Sequence, residues 1–244
     1  MTLSADPPRD DLLSRTFVEL ADILVHDFDV VTFLEMLSGR CVGLFSVAAA
    51  GVMLQDANDI LQVVASSNEE AHVLELMELQ NEEGPCLDAY RTSVPVRARG
   101  TESGERWPRF TGQARQFGYQ AFGAVPLRLR SQTIGALNLF DDKDVLLRDE
   151  ELRTAQALAD IATISMLNER ALRESRLVAE QLQYALTSRV VLEQAKGVLA
   201  VKLDCDVAVA FAAMRDFARR NNRRLSDVAR DVVAGDIEPS DVRA

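Results

Sequence analysis

From Asp149 to Val201 the chain contains no proline and a single glycine, Gly197. No other feature restricts the fold so strongly. About 50 residues at 1.5 Å per residue make a helix of ~75 Å if nothing interrupts it. Ordinary globular helices are far shorter. Leu152, Ala155, Ala159, Ala162 and Met166 lay an apolar stripe along the first part, and Leu182, Leu186 and Val190 resume it later. Between them NERALRESR is strongly polar. The pattern predicts a helix that leaves one domain and enters another. Its heptads are too irregular to establish a coiled coil, although a dimeric one fits the composition.

The chain before this helix changes period several times. Pro7 and Pro8 among charges mark residues 1–11 as disordered. Phe17, Leu20, Ala21, Leu24, Phe33, Leu34 and Leu37 follow helical spacing. SVAAAGVMLQ and DILQVVASS then read as a β-hairpin around QDAND. Residues 69–80 return to helix until NEEGPC breaks it, and VPVRAR is a short strand. RWPRFTGQARQFG is a helix with Pro108 early and Gly118 at its end. AFGAVPLRLR and TIGALNLFD form a second hairpin around Ser131–Gln132. Hairpin strands with helices segregated around them define an α+β domain.

After the long helix, KLDCD is a break, with Asp206 placed to cap the next helix. Val207, Phe211, Met214 and Ala218 stripe that helix, and NNRR turns the chain. Ser226 is placed to cap a last helix carrying Val228, Ala229, Val232 and Val233, which Gly235 ends. This part is three helices, the first fused to the connector.

The search for catalytic chemistry returns little. His26 and His72 are far apart with no neighbouring cysteine, and no CxxC, HExxH, GxGxxG, Walker-type loop or GxSxG occurs. No cofactor or metal is evident, and the chain is not expected to be an enzyme. Cys86, in a loop after Gly84–Pro85, reads as a partly buried small hydrophobe rather than a reactive thiol. Cys41, Cys86 and Cys205 give no disulfide framework and suit a reducing cytoplasm. The polar N-terminus lacks the order of a secretory signal, and no apolar run is long enough to span a membrane.

Charge is unevenly shared. Residues 1–175 hold 16 basic and 28 acidic side chains, whereas residues 189–230 hold nine and five. Arg215, Arg219, Arg220, Arg223 and Arg224 fall within ten residues against one acid, Asp216. That excess exceeds what solubility needs and points to phosphate contact. Arg215, Arg219 and Arg223 share a helix face if the helix lasts that far. Arg189 and Lys196 share one on the preceding helix, with Glu193 able to pair with either. Phe211, Met214, Phe217, Leu192, Ala195 and Leu199 read as core. A glycine inside a helix costs about 1 kcal/mol relative to alanine. Gly197 beside Ala195 therefore reads as a site of close helix approach.

ALTSRVVLEQAKGVLA followed by AFAAMRDFARRNNRRLSDVARDVV resembles the ANTAR domain, over about residues 176–236. Arg189, Gln194, Ala195, Lys196, Gly197, Ala210, Phe211, Arg215, Ala218, Leu225 and Ala229 fall in that family's order. LDCD stands where the family commonly has glycine and a small polar cap. EGPCLDAYRTSVPV, RWPRF and AVPLRLRSQTIGALNLF resemble a GAF domain. Beyond the disordered stretch at 1–11, the resemblance implies a GAF sensor at 12–172, a connector at 173–187, an ANTAR domain at 188–236 and a tail at 237–244. It implies binding of paired small-loop RNA hairpins in nascent transcripts, transcription antitermination, and a homodimer held through the GAF domain and connector. Arg189 and Lys196 are carried over as RNA contacts from motif positions, and Arg215 with them. Arg219, Arg220, Arg223 and Arg224 rest on charge. Gln194, Ala195, Gly197, Ala210, Phe211, Ala218 and Ala229 are the structural motif. A small-molecule GAF ligand is implied without an identity. Two other readings stay open: a DNA-binding regulator using RRLSDVARDVV as a recognition helix, and a signalling protein whose basic face binds a protein.

Overall fold

The computed structural model describes residues 9–22 and 29–243, with side chains described at 11–20 and 29–242. Pro7, Pro8, Leu24 and His26 lie outside the described residues. The chain divides into two compact units, residues 1–170 and 171–244.

The first unit is built on an antiparallel sheet. Its strands are β1 (Ala49–Gln55), β2 (Leu61–Ser66), β3 (Val96–Arg99), β4 (Ala121–Leu129) and β5 (Gln132–Asp141), in the order β2-β1-β5-β4-β3. Both expected hairpins are present, β1 with β2 and β4 with β5. The second turns one residue early: Arg130 takes φ 56°, so the corner is Arg130–Ser131.

Alternate residues of the central strands point to opposite faces. Ala50, Val52, Val125, Leu127, Leu137 and Leu139 join one core. They meet α2 (Val30–Phe45) through Phe33, Leu34 and Leu37, α1 (Arg9–Asp22) through Leu20, and Ala155, Leu158, Ala159 and Ala162 of α7 (Asp149–Lys202). Ala49, Met53, Phe122, Ala124, Ala136 and Phe140 join the other. They meet α3 (Glu69–Asn81), α4 (Pro85–Thr92) and α6 (Pro108–Gln116) through Leu74, Cys86, Ala89 and Phe110. A four-residue helix, α5 (Gly100–Ser103), precedes α6. Burial on both faces explains why these strands read as nearly continuous apolar runs.

Two sequence readings change here. α1 begins at Arg9, inside the stretch that its prolines mark as disordered. Cys86 is not in a loop: Pro85 occupies the first turn of α4, where its missing N–H costs nothing, and Cys86 is fully buried.

The second unit comprises the end of α7, α8 (Val207–Arg220), α9 (Leu225–Ala234) and a further short helix, α10 (Pro239–Arg243), in what reads from sequence as a tail. Ala195, Leu199, Ala210, Met214, Ala218, Val228, Ala229, Val232 and Val242 form its core. Asp204 adopts φ 49° in the position where glycine is usual, and Asp206 Oδ1 accepts a 2.7 Å bond from the Ala208 N–H. Gly235, at φ 87°, ends α9 as expected. Ser226 does not cap that helix. Arg224 holds the cap position without a side-chain bond, and the Ser226 hydroxyl pairs with the Tyr184 phenol instead.

Candidate nucleic-acid interface and a buried acidic pair

α7, α8 and the turn before α9 position the seven candidate cations. Arg189 is exposed on α7, and Arg219 and Arg220 are exposed in the last turn of α8. Arg224 is exposed at the start of α9. None of these four has an acidic partner among the described residues. Arg215 lies 3.8 Å from Asp216 on the solvent side. The other two are occupied. Lys196 Nζ sits 2.7 Å from Glu193 Oε2 and 5.6 Å over the Phe211 ring, with its side chain only 20% exposed. Arg223 is ion-paired with Asp231. α8 ends at Arg220, so Arg223 does not share a helix face with Arg215 and Arg219.

The motif residues divide in the same way. Ala195, Ala210, Ala218 and Ala229 are buried where helices meet, and Phe211 packs against that core. Gln194 and Gly197 are exposed. The close-packing reading of Gly197 is corrected: a Cβ placed there would meet nothing within 4 Å. Successive helical residues turn by about 100°. Gly197, two residues from both Ala195 and Leu199, therefore points away from the core they enter.

A second polar constellation lies inside the first unit. Ala71, Leu74, Glu75 and Glu78 of α3 all face inward, and both carboxyl groups are fully buried. Glu75 accepts a 2.7 Å bond from Ser66 Oγ and a 3.2 Å bond from Asn138 Nδ2. The same Nδ2 donates to Glu78 Oε2 at 3.2 Å. Glu78 Oε1 accepts the N–H groups of Cys86 (2.7 Å) and Leu87 (3.1 Å) at the start of α4. Asn138 Oδ1 is buried without a partner.

The backbone makes room for these carboxyls. A Cβ on Gly51 would collide with Glu75, and one on Gly84, at φ 150°, with Glu78. Burial pushes both carboxyl groups up to about 8. Glu78 accepts two helix N-terminal N–H groups, which favour its charged form. Desolvation, with both carboxylates nearby, pushes the Cys86 thiol well above its usual value, so it is not a poised nucleophile. Its Sγ faces the Ala136 carbonyl at 3.7 Å.

Sequence reasoning did not find this pair, although a signal was present. Glu75 and Glu78 occupy core positions of a helical stripe, and Asn138 interrupts the apolar run of β5. Among the described residues, no group of three or more His, Cys, Asp or Glu is placed to hold a metal, and His72 lies exposed beside Ser66. No helix of the described residues is long and apolar enough to cross a membrane.

Comparison with known proteins defines the class. The GAF domain model matches residues 29–166, and the ANTAR domain model matches residues 180–233. The chain belongs to the GAF domain family and, with an ANTAR domain behind the GAF domain, is a GAF–ANTAR regulator. ANTAR is an RNA-binding antitermination domain and GAF a sensor domain able to hold small-molecule ligands; both are regulatory rather than catalytic modules.

Among solved structures, the chain is similar to the GAF domain of an Acinetobacter phosphoenolpyruvate-protein phosphotransferase (17% identity, TM-score 0.52, 70% of this chain and 99% of that one). It is also similar to the free methionine-R-sulfoxide reductase of Neisseria meningitidis, solved with its substrate (16% identity, TM-score 0.51, 70% and 98%). At such identities the likeness is one of fold. No curated protein matches the chain.

Proposed function

We propose that this chain is a signal-responsive RNA-binding regulator that holds paired small-loop hairpins in nascent transcripts and so promotes antitermination. One observation carries the reading: Arg189, Arg219, Arg220 and Arg224, which have no acidic partner among the described residues, fall inside the span matched by the ANTAR domain. RNA phosphates supply the missing counter-charge. The acidic first unit repels the same polyanion and confines contact to the second. α9 buries Val228, Ala229 and Val232 in the core of the second unit.

In this reading the sensor occupies residues 12–172, the connector 173–187 and the RNA-binding domain 188–236. A homodimer joins through the GAF domain and the connector, where Leu177, Val178, Leu182 and Leu186 are each more than half exposed. A signal at the GAF domain changes the packing of this helix.

The test is a mobility-shift titration of the full chain with tandem hairpins at ~0.15 M salt, beside a transcription assay across an overlapping terminator. Preference for the hairpins over scrambled RNA, with increased read-through, is expected. Equal binding of both RNAs would overturn the reading.

A further inference from the structure

The second unit has three aromatic side chains, Tyr184, Phe211 and Phe217. The two phenylalanines pack against its core. Tyr184 does not; it is 52% exposed on α7, within the ANTAR span. An exposed aromatic ring alone means little, but this one is held. Its hydroxyl lies 3.3 Å from Ser226 Oγ of α9. The phenol's pKa is lowered, by Ser226 first and then by Ser188, one turn along α7, and Arg224, against the charge of the nearby Asp227. A ring fixed at its polar end and open on its face loses little conformational freedom when something stacks on it. Arg224 beside it has no acidic partner among the described residues.

We propose that Tyr184 is a stacking platform for one unpaired base of the RNA loop, with Arg224 contacting the phosphate next to that base. This rests on the RNA-binding reading and deepens it, because it assigns recognition of the loop rather than the stem. Single-stranded loop bases are splayed out and stack on aromatic rings, whereas paired bases present no free face. Stacking on one ring is sequence-tolerant and is lost when the ring is removed. A second copy of this chain packing on Tyr184 is the competing occupant. Arg224 has no acidic partner among the described residues, and the nearby Asp227 is paired with Arg230, so the charge at the ring's rim favours a polyanion over a second copy of this acidic chain.

The experiment uses the full chain and a tandem-hairpin RNA carrying 2-aminopurine at successive loop positions. Tyr184→Phe and Tyr184→Trp keep the ring and are expected to bind within about 3-fold of wild type. Tyr184→Leu keeps apolar bulk without a ring and is expected to weaken binding by about 10-fold or more. One loop position should show fluorescence quenching on binding that Tyr184→Leu abolishes, with the molar mass by light scattering unchanged.

Wild-type affinity retained in Tyr184→Leu overturns the assignment, as does equal weakening by Phe and Leu, which would leave only a hydroxyl anchor. A Leu-specific loss of mass overturns it in favour of the second copy. Absence of hairpin preference in the wild type is read before any variant and overturns the RNA reading itself, and this proposal with it.

Discussion

The two units treat charge in opposite ways. The first carries most of the acidity, yet its most unusual acids, Glu75 and Glu78, are buried and fully engaged with Ser66, Asn138 and the start of α4. The second leaves Arg189, Arg219, Arg220 and Arg224 at the surface with no acidic partner among the described residues. A buried charge must be neutralised or hydrogen-bonded within the fold, so it is a statement about stability. A cation left at the surface keeps its interaction energy for another molecule, so it is a statement about binding. Changes in the first unit should therefore move folding, and changes in the second should move affinity.

The largest effect should come from Glu78→Leu. It leaves the Cys86 and Leu87 N–H groups without an acceptor, at about 1–3 kcal/mol for each group. A fall in thermal midpoint of several degrees, read by calorimetry, is expected. Glu78→Gln keeps an acceptor for both and should cost much less.

The pH dependence follows from the same pair. The two carboxyls hold protons in the fold up to about 8, whereas ordinary glutamates release them near 4.5. Between these values the folded state binds more protons than the unfolded one, so stability falls as pH rises and the loss is complete above about 8. Denaturant titrations from pH 5 to 9 should show the decline, and Glu75→Gln with Glu78→Gln should flatten it. A flat wild-type profile would break the contrast between the units.

On the binding side, Arg219→Ala with Arg220→Ala should weaken hairpin RNA about 10- to 100-fold and lower the salt slope by one to two, as for two lost phosphate contacts. Its unfolding midpoint should stay put. Lys196→Ala should weaken RNA by only about 2- to 3-fold, because Glu193 and the Phe211 ring already engage its charge. A loss as large as that of the double arginine variant would show that Lys196 swings away from both on binding.

Gly197→Ala should have the smallest effect, and a favourable one. The site has open space for a methyl group, so the variant should gain about 1 kcal/mol of helix propensity. Loss of RNA affinity in that variant would mean that the glycine's bare surface serves a partner.

Much of the fold was legible because its signals are local. Short apolar runs around polar turns marked both hairpins, helical spacing marked α2, α3 and α8, and the breaker-free run marked α7. Asp206 and Gly235 act at helix ends as their chemistry suggests. Ser226 failed as a cap because α9 already begins at Leu225, with Arg224 in the cap position, and its hydroxyl meets Tyr184 instead. Gly197 was misread because helix phase, not propensity, decides which side faces the core. Glu75 and Glu78 escaped notice because carboxylates are usually solvated, and only the packing of α3 on the sheet turns them inward.

By itself, then, the sequence determined the α+β sensor, the 54-residue helix and the order of ANTAR motif residues, all of which depend on spacing along the chain. Only the tertiary structure decided which charges are free. Arg223 reaches Asp231 across the turn from α8 to α9, Lys196 reaches Phe211 from α7 to α8, and Asn138 reaches both glutamates from β5 to α3. Ion pairing and desolvation depend on distance in space, and that distance exists only once the elements have packed.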